Sequence, residues 1–268
     1  MADAKGGKSS TPEWLNASGR SNLFDTFTDR EIGLIVLSHI DYEAQLSAVH
    51  ALLLQQTNSN QLLKDEIAKI DALAKRTSGL FNERAVDEWV DHLHASVYQD
   101  AAHSMAAVGM LAPLFESILC QSFDGIRGIL ETDIVPLSSH PRWQCSSTEA
   151  WDCHFVFTQK GRTKNLVEGV LQLAEAVGLS AHLPGDLKPT LEALFSYRNK
   201  MFHLGFEWPI VERGRFQKQT ANWPSDWFET ATSDHKPWIF YLTDTFIKHC
   251  LTTIDGVLGG VGAFARNK

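Results

Sequence analysis

The sequence predicts an all-α fold, a bundle of roughly seven or eight helices of ordinary length. Three observations carry that expectation. Apolar residues recur at three- and four-residue spacing along most of the chain, no segment sustains the alternation of a half-buried strand, and no unit repeats at fixed length. The size agrees with a single core: 268 residues, 44% hydrophobic and 21% charged. A chain of this length buries roughly 70–75% of its unfolded surface and needs no disulfide or metal to fold.

Taken in order, residues 1–20 are Gly/Ser/Lys-rich and read as a mobile tail, with Trp14 and Leu15 as apolar anchor points. Residues 21–268 read as one domain. A helix is expected from Thr28, capped by Asp29, with Ile32, Ile35, Val36 and Ile40 on one face and Leu46, Val49 and Leu53 continuing the series. The Asn-Ser-Asn run at 58–60 predicts a break. Leu62, Ile67, Ile70 and Leu73 then mark a further helix that Gly79 ends. Residues 83–99 are helical with an acidic face, and residues 100–130 form a more buried helix bent at Pro113. The stretch 132–161 is irregular, with Pro136, Pro141, Trp143 and Trp151. Leu166, Val170, Leu173 and Val177 predict a helix stopped by Gly178. Pro189 opens another that runs to Gly205. Residues 206–237 form a long Trp-rich connection, and a last helix carries Phe240, Phe246, Ile247, Cys250 and Ile254 before a Gly-rich end.

Charge and targeting signals narrow the function classes. With 24 Lys+Arg against 32 Asp+Glu the formal net charge is −8, which excludes a protein coated with nucleic acid over its whole surface but leaves room for one local basic cleft. Residues 1–22 lack the apolar core of a signal peptide. The most apolar stretch, Met105 to Cys120, is interrupted by Pro113 and Glu116 and is shorter than the ~20 residues of a membrane span. Cys120, Cys145, Cys153 and Cys250 accordingly read as reduced thiols in a cytoplasmic protein without membrane attachment.

The informative segment is Ser196-Tyr197-Arg198-Asn199-Lys200-Met201-Phe202-His203. Arg198 offers a permanently charged fork matched to phosphate oxygens, and His203 has a reference pKa near neutrality and suits proton transfer. Asn199 can orient either by hydrogen bonds. Together these residue types fit metal-independent RNA cleavage, in which the 2′-OH attacks the neighbouring phosphorus through a negatively charged phosphorane. Asn199 and His203 are four apart and share a helix face. Arg198 and His203 lie roughly 140° apart around a helix, so a second copy of the motif is the natural way to complete one site. A homodimer is therefore expected, with Met201 and Phe202 closing the contact.

An Arg, a polar residue directly after it and a His five positions past the Arg, late in a helix, resemble the signature of the HEPN superfamily. The resemblance covers these six residues and the helical setting. It implies an all-helical core with additional N-terminal helices and a dimeric ribonuclease of toxin–antitoxin or antiphage type, with Arg198, Asn199 and His203 catalytic. It also implies an RNA substrate, a regulatory or antitoxin protein partner and no cofactor. Some HEPN toxins carry a Tyr two residues after the motif His that a partner modifies. Gly205 stands there, so that mode of control is not implied. Thr28-Asp29-Arg30 followed by Leu34, Leu37, Ile40 and Asp41 is similar to the opening helix of mannitol-repressor-like proteins, and some HEPN members bind without cutting. The alternative reading is therefore a non-catalytic helical regulatory or binding module, mannitol-repressor-like or an RNA- or nucleotide-binding HEPN protein.

Four further features bear on function. Lys200, Arg213, Arg215 and Lys218 lie among Trp208, Phe216, Trp223 and Trp227. Cations beside stacking rings suit single-stranded RNA, whereas the Trp-Pro pairs at 208–209 and 223–224 suit rings that pin a loop. Cys145, Cys153, His154 and His140 match no paired zinc-ligand spacing, so buried thiols and no metal are expected. Asp152-Cys153-His154 is not expected to act as a nucleophile group, because neighbouring side chains diverge in a helix or strand. Gly259-Gly260-Val261-Gly262 lacks the strand and Lys of a phosphate loop.

Overall fold

The computed structural model describes residues 26–37, 39–76, 80–130, 140–144 and 147–268. The proposed tail, the Gly79 stop, Pro136 and Cys145 lie outside them. The fold is predominantly helical, as expected. Helix α1 (Asp29–Val36) is capped by Thr28 rather than Asp29: the Thr28 hydroxyl accepts from the Glu31 amide, and the Glu31 carboxylate accepts from the Thr28 amide at 2.7 Å. Helices α2 (Tyr42–Arg76) and α3 (Leu80–Leu130) form a long antiparallel pair. The register is fixed by Tyr42 Oη against Ser117 Oγ at 2.7 Å and by Asn60 Nδ2 donating to Asp100 Oδ1 at 3.4 Å.

Two expectations are corrected here. No break occurs at 58–60, because Asn60 finds a partner on α3 and no longer competes with the helix backbone. The segments 83–99 and 100–130 are one helix of 51 residues that runs through Pro113. An 18-residue window of α3 is also long and apolar enough to cross a membrane by composition, yet 56% of it is buried inside the protein. That is the setting of a core helix. Ala107, Val108, Leu111, Phe115, Ile118 and Ile126 of α3 are fully buried at the centre of the fold.

After a 3-10 turn (Pro141–Gln144) and the short α4 (Ser147–Ala150), strands β1 (Phe155–Thr158) and β2 (Gly161–Lys164) pair as a hairpin. Helix α5 (Leu166–Val177) begins at the Asn165 cap and ends at Gly178 in the left-handed region (φ 80°), as predicted. Helix α6 (Leu187–Leu204) follows, then α7 (Ile210–Thr220). Strands β3 (Phe228–Ser233) and β4 (Lys236–Leu242) form a second hairpin, and α8 (Asp244–Arg266) closes the chain. The expected 206–237 connection thus contains a helix, a strand and the start of a second strand, and Phe240, expected on the last helix, lies on β4. Neither hairpin shows a sequence pattern, for physical reasons. Phe155–Thr158 is too short to show a period, and the β3–β4 turn places Asp234 and His235 at positive φ (49° and 60°) without glycine.

The Gly-rich end is helical and lets α1 approach α8. A Cβ at Gly262 would fall 1.7 Å from the Asp29 carbonyl oxygen, so only glycine fits there. Arg266 and Arg30 then tie α1 to its neighbours through Asp29 (2.9 Å), Glu43 (2.7 Å) and Asp255 (2.7 Å).

One core residue makes stability pH-dependent. His103 of α3 is 6% exposed, and neither ring nitrogen has a hydrogen-bond partner among the described residues. Burial holds its pKa below the ordinary histidine value, while Asp244 and Lys64 act in opposite directions. The folded protein therefore keeps His103 neutral where the unfolded chain takes up a proton. Its stabilising effect is present above the unfolded pKa of ~6.5 and is lost as pH falls below it, at up to ~1.4 kcal/mol per pH unit. Urea unfolding at pH 7.5 and 5.5 should show a smaller acid loss in His103→Gln than in the parent chain. Equal losses in the two would remove His103 as the cause.

Candidate functional site

Helix α6 carries the motif, and its sequence sets its orientation. Leu187, Leu191, Leu194, Tyr197 and Met201 are buried in the core. Tyr197 Oη donates to the Phe240 carbonyl at 2.9 Å, which locks the helix against the β3–β4 hairpin. Arg198 and Asn199, next in sequence, come out on the wall of a cavity of about 920 Å³. Arg198 Nη1 donates to Asn199 Oδ1 at 3.1 Å, and the guanidinium also lies 5.9 Å from the centre of the Phe202 ring.

His203 is exposed in the last turn of α6 and is not on the cavity wall. Gly205 (φ 73°) ends the helix directly after it, as predicted. One chain therefore brings Arg198 and Asn199 together and leaves His203 outside. Met201 is fully buried, so it cannot close a dimer contact as expected, whereas Phe202 is 52% exposed. Leu204, Ile210 and Val211, at 37%, 73% and 64%, extend the exposed apolar surface across the α6–α7 junction.

The residues suggested for RNA contact are mostly engaged elsewhere. Trp208 is 2% exposed, stacks on Phe240 and donates from Nε1 to the Gly205 carbonyl at 2.8 Å. No face of it is open to a base, which corrects the suggested stacking role. Arg213 is turned inward onto the Trp208 and Pro237 carbonyls. Lys200 pairs with Glu212 at 2.7 Å, and Arg215 reaches the same carboxylate. Lys218 is exposed.

Glu116, Asp152 and His154, which the sequence did not mark as a site, line the same cavity. His154 lies between two carboxylates, with Nδ1 2.8 Å from Asp152 Oδ1 and Nε2 2.9 Å from Glu116 Oε1. Asp152 Oδ1 also accepts the His154 amide at 2.9 Å. The expectation that Asp152 and His154 diverge is corrected: the chain turns there, so a helix or strand rule does not apply. Burial lowers the His154 pKa, but the bonds to Glu116 and Asp152 outweigh it, and the net direction is upward. Cys120, one helical turn past Glu116 on α3, stands with its Sγ 3.3 Å from that of Cys153. Cys120, Cys153 and His154 offer ligand atoms within 4.8 Å of one another, a set that can hold a metal ion.

Arg142 organises this turn. It is fully buried, and its guanidinium donates to the carbonyls of Ala150 (2.7 Å), Asp152 (3.1 Å), Gly169 (3.0 Å) and Phe155. The only hint in the sequence is its place between Pro141 and Trp143 in an irregular stretch. Glu116 looked like an interruption of an apolar helix, and Cys120 lies 33 residues before Cys153. No family model, curated protein or solved structure matches the chain.

Proposed function

We propose that the chain is a metal-independent endoribonuclease of the HEPN type, acting in the cytoplasm as a toxin or antiphage effector under the control of a protein partner. The observation that carries this reading is the Arg198–Asn199 pair on the cavity wall, with His203 on the next exposed turn of the same helix. Arg198 stabilises the phosphorane and Asn199 holds the guanidinium in place. His203 takes the proton of the attacking 2′-OH. The bond to the 5′ oxygen breaks as the 2′-oxygen–phosphorus bond forms. The products are a 2′,3′-cyclic phosphate and a 5′-hydroxyl, with the proton passed to the leaving oxygen.

The working form is a homodimer in which His203 of one copy faces Arg198 of the other. The exposed Phe202, Leu204, Ile210 and Val211 beside His203 support a two-fold contact there. The alternative, a non-catalytic regulatory module, has in its favour the position of His203 outside the cavity of its own chain.

A defined RNA oligonucleotide tests the reaction. A substrate with a single 2′-deoxy sugar at the cut site is expected to resist cleavage completely, because the nucleophile is missing. Cleavage of the deoxy substrate at a comparable rate would overturn the mechanism. A broad RNA pool left uncut by the folded protein, with Arg198→Ala no less toxic in cells than the parent, would favour the regulatory module.

A further inference from the structure

The thiols and imidazole beside the cavity have no role in the reaction proposed above, and they converge from two distant parts of the chain. We propose that Cys120, Cys153, His154 and Glu116 form a structural zinc site. This inference does not rest on the ribonuclease reading.

The donor set determines the metal. Two thiolates and an imidazole select zinc over magnesium or calcium, which take oxygen ligands. Three of the ligand atoms already lie within 4.8 Å of one another. A tetrahedral zinc with bonds of ~2.3 Å to sulfur and ~2.1 Å to nitrogen or oxygen sets ligand edges of ~3.8 Å and ~3.4 Å. The Cys120–Cys153 sulfurs are 3.3 Å apart and the Glu116 Oε1–His154 Nε2 pair is 2.9 Å apart. These two edges open by about half an ångström to admit the ion, and the His154 ligand atom lies within 4.8 Å of both sulfurs.

The surroundings match what zinc ligands need. His154 Nε2 is the nitrogen given to the metal, because Nδ1 is fixed by Asp152, which also accepts the His154 amide. A carboxylate on the far ring nitrogen selects the tautomer and orients the ring. Cys153 is buried and Cys120 half-buried, so the thiolates are shielded from bulk oxidants. Glu116 and Cys120 are four apart on α3 and present their ligand atoms from one face. Filling all four positions with protein groups makes the site a staple between α3 and the 151–154 turn rather than an open catalytic centre. Binding releases the thiol protons, so affinity rises with pH.

The test uses the full chain, stripped of metal in reducing buffer and reloaded with zinc or cobalt(II). The expected result is ~1 zinc per chain, and with cobalt a thiolate-to-metal charge-transfer band and the intense visible bands of a tetrahedral site. Cys120→Ser and Cys153→Ser should lose the charge-transfer intensity in part, and His154→Gln should reduce zinc content sharply. Asp152→Asn keeps all four ligands and should weaken zinc affinity ~10–100-fold, an effect that does not depend on variants that fail to fold. A weak octahedral cobalt spectrum in the parent chain, or an unchanged spectrum in Cys120→Ser, would overturn the proposal. So would a Cys120–Cys153 disulfide in protein isolated under thiol-trapping conditions, which would make the pair a redox couple. Zinc content and RNA cleavage are read separately, so either proposal can fail alone.

Discussion

Co-expressing two inactive variants, Arg198→Ala and His203→Ala, is expected to restore cleavage. Each variant alone should be defective in a different way. His203→Ala removes the proton-transfer group and should lower the rate ~10²–10⁴-fold with RNA affinity nearly unchanged. Arg198→Ala removes a permanent charge that meets phosphate in both ground and transition states, so binding and rate should both fall. In a two-fold dimer each cleft draws Arg198 from one copy and His203 from the other. A mixed dimer then has one cleft lacking both groups and one cleft intact, so an equal mixture should recover about one quarter of the parent activity. Sites built within single chains would stay dead in every combination. The separation of the two groups around α6 and the exposed Phe202, Leu204, Ile210 and Val211 favour the crossed arrangement. A fully active monomer by light scattering, or no recovery in purified mixed dimers, would refute it.

What the sequence disclosed and what it concealed divide along physical lines. The ends of α5 and α6 were readable because Gly178 and Gly205 occupy positive φ, a local demand that residue identity answers directly. Arg198 and Asn199 were readable as a pair because their spacing survives in any helix. The helix through 58–60 was not, because Asn60 owes its place to Asp100 on another helix, and intrinsic propensity cannot anticipate a tertiary partner. The same limit hid the cluster beside the cavity. Glu116 and Cys120 on α3 meet Asp152, Cys153 and His154 only through folding, and no local pattern connects them. Trp208 shows the converse case. Its neighbours suggested a stacking surface, but a ring that large is worth more buried, and it stacks on Phe240 in the core.

Arg142→Ala is expected to cause the largest loss of stability of any single substitution considered for this chain. The side chain is fully buried, and its guanidinium gathers carbonyls from Ala150, Asp152, Phe155 and Gly169. These lie on α4, a turn, β1 and α5, so one guanidinium ties four segments together, while the Asp152 carbonyl also accepts the Phe155 amide at 3.3 Å. The Phe157 ring, 4.8 Å from the guanidinium carbon, adds a cation–π contact. Hydrogen bonds from a charged donor contribute ~1.5–3 kcal/mol each, but they overlap and part of that is offset by desolvating the cation. A net loss of roughly 3–5 kcal/mol follows, or a fall in Tm on the order of 10 °C for a domain of this size. Arg142→Lys should be intermediate, since one ammonium is a point charge that cannot span four carbonyls. The effect should also reach the cavity. Asp152 is held by Arg142 through its carbonyl and holds His154 through its carboxylate. Loosening that turn at temperatures where the variant stays folded should therefore broaden the His154 imidazole resonance while leaving His203 unchanged. Thermal unfolding by calorimetry and imidazole NMR check the two halves of the argument. A loss within ~0.5 kcal/mol, the range of ordinary surface substitutions, would mean that Arg142 does not organise the turn.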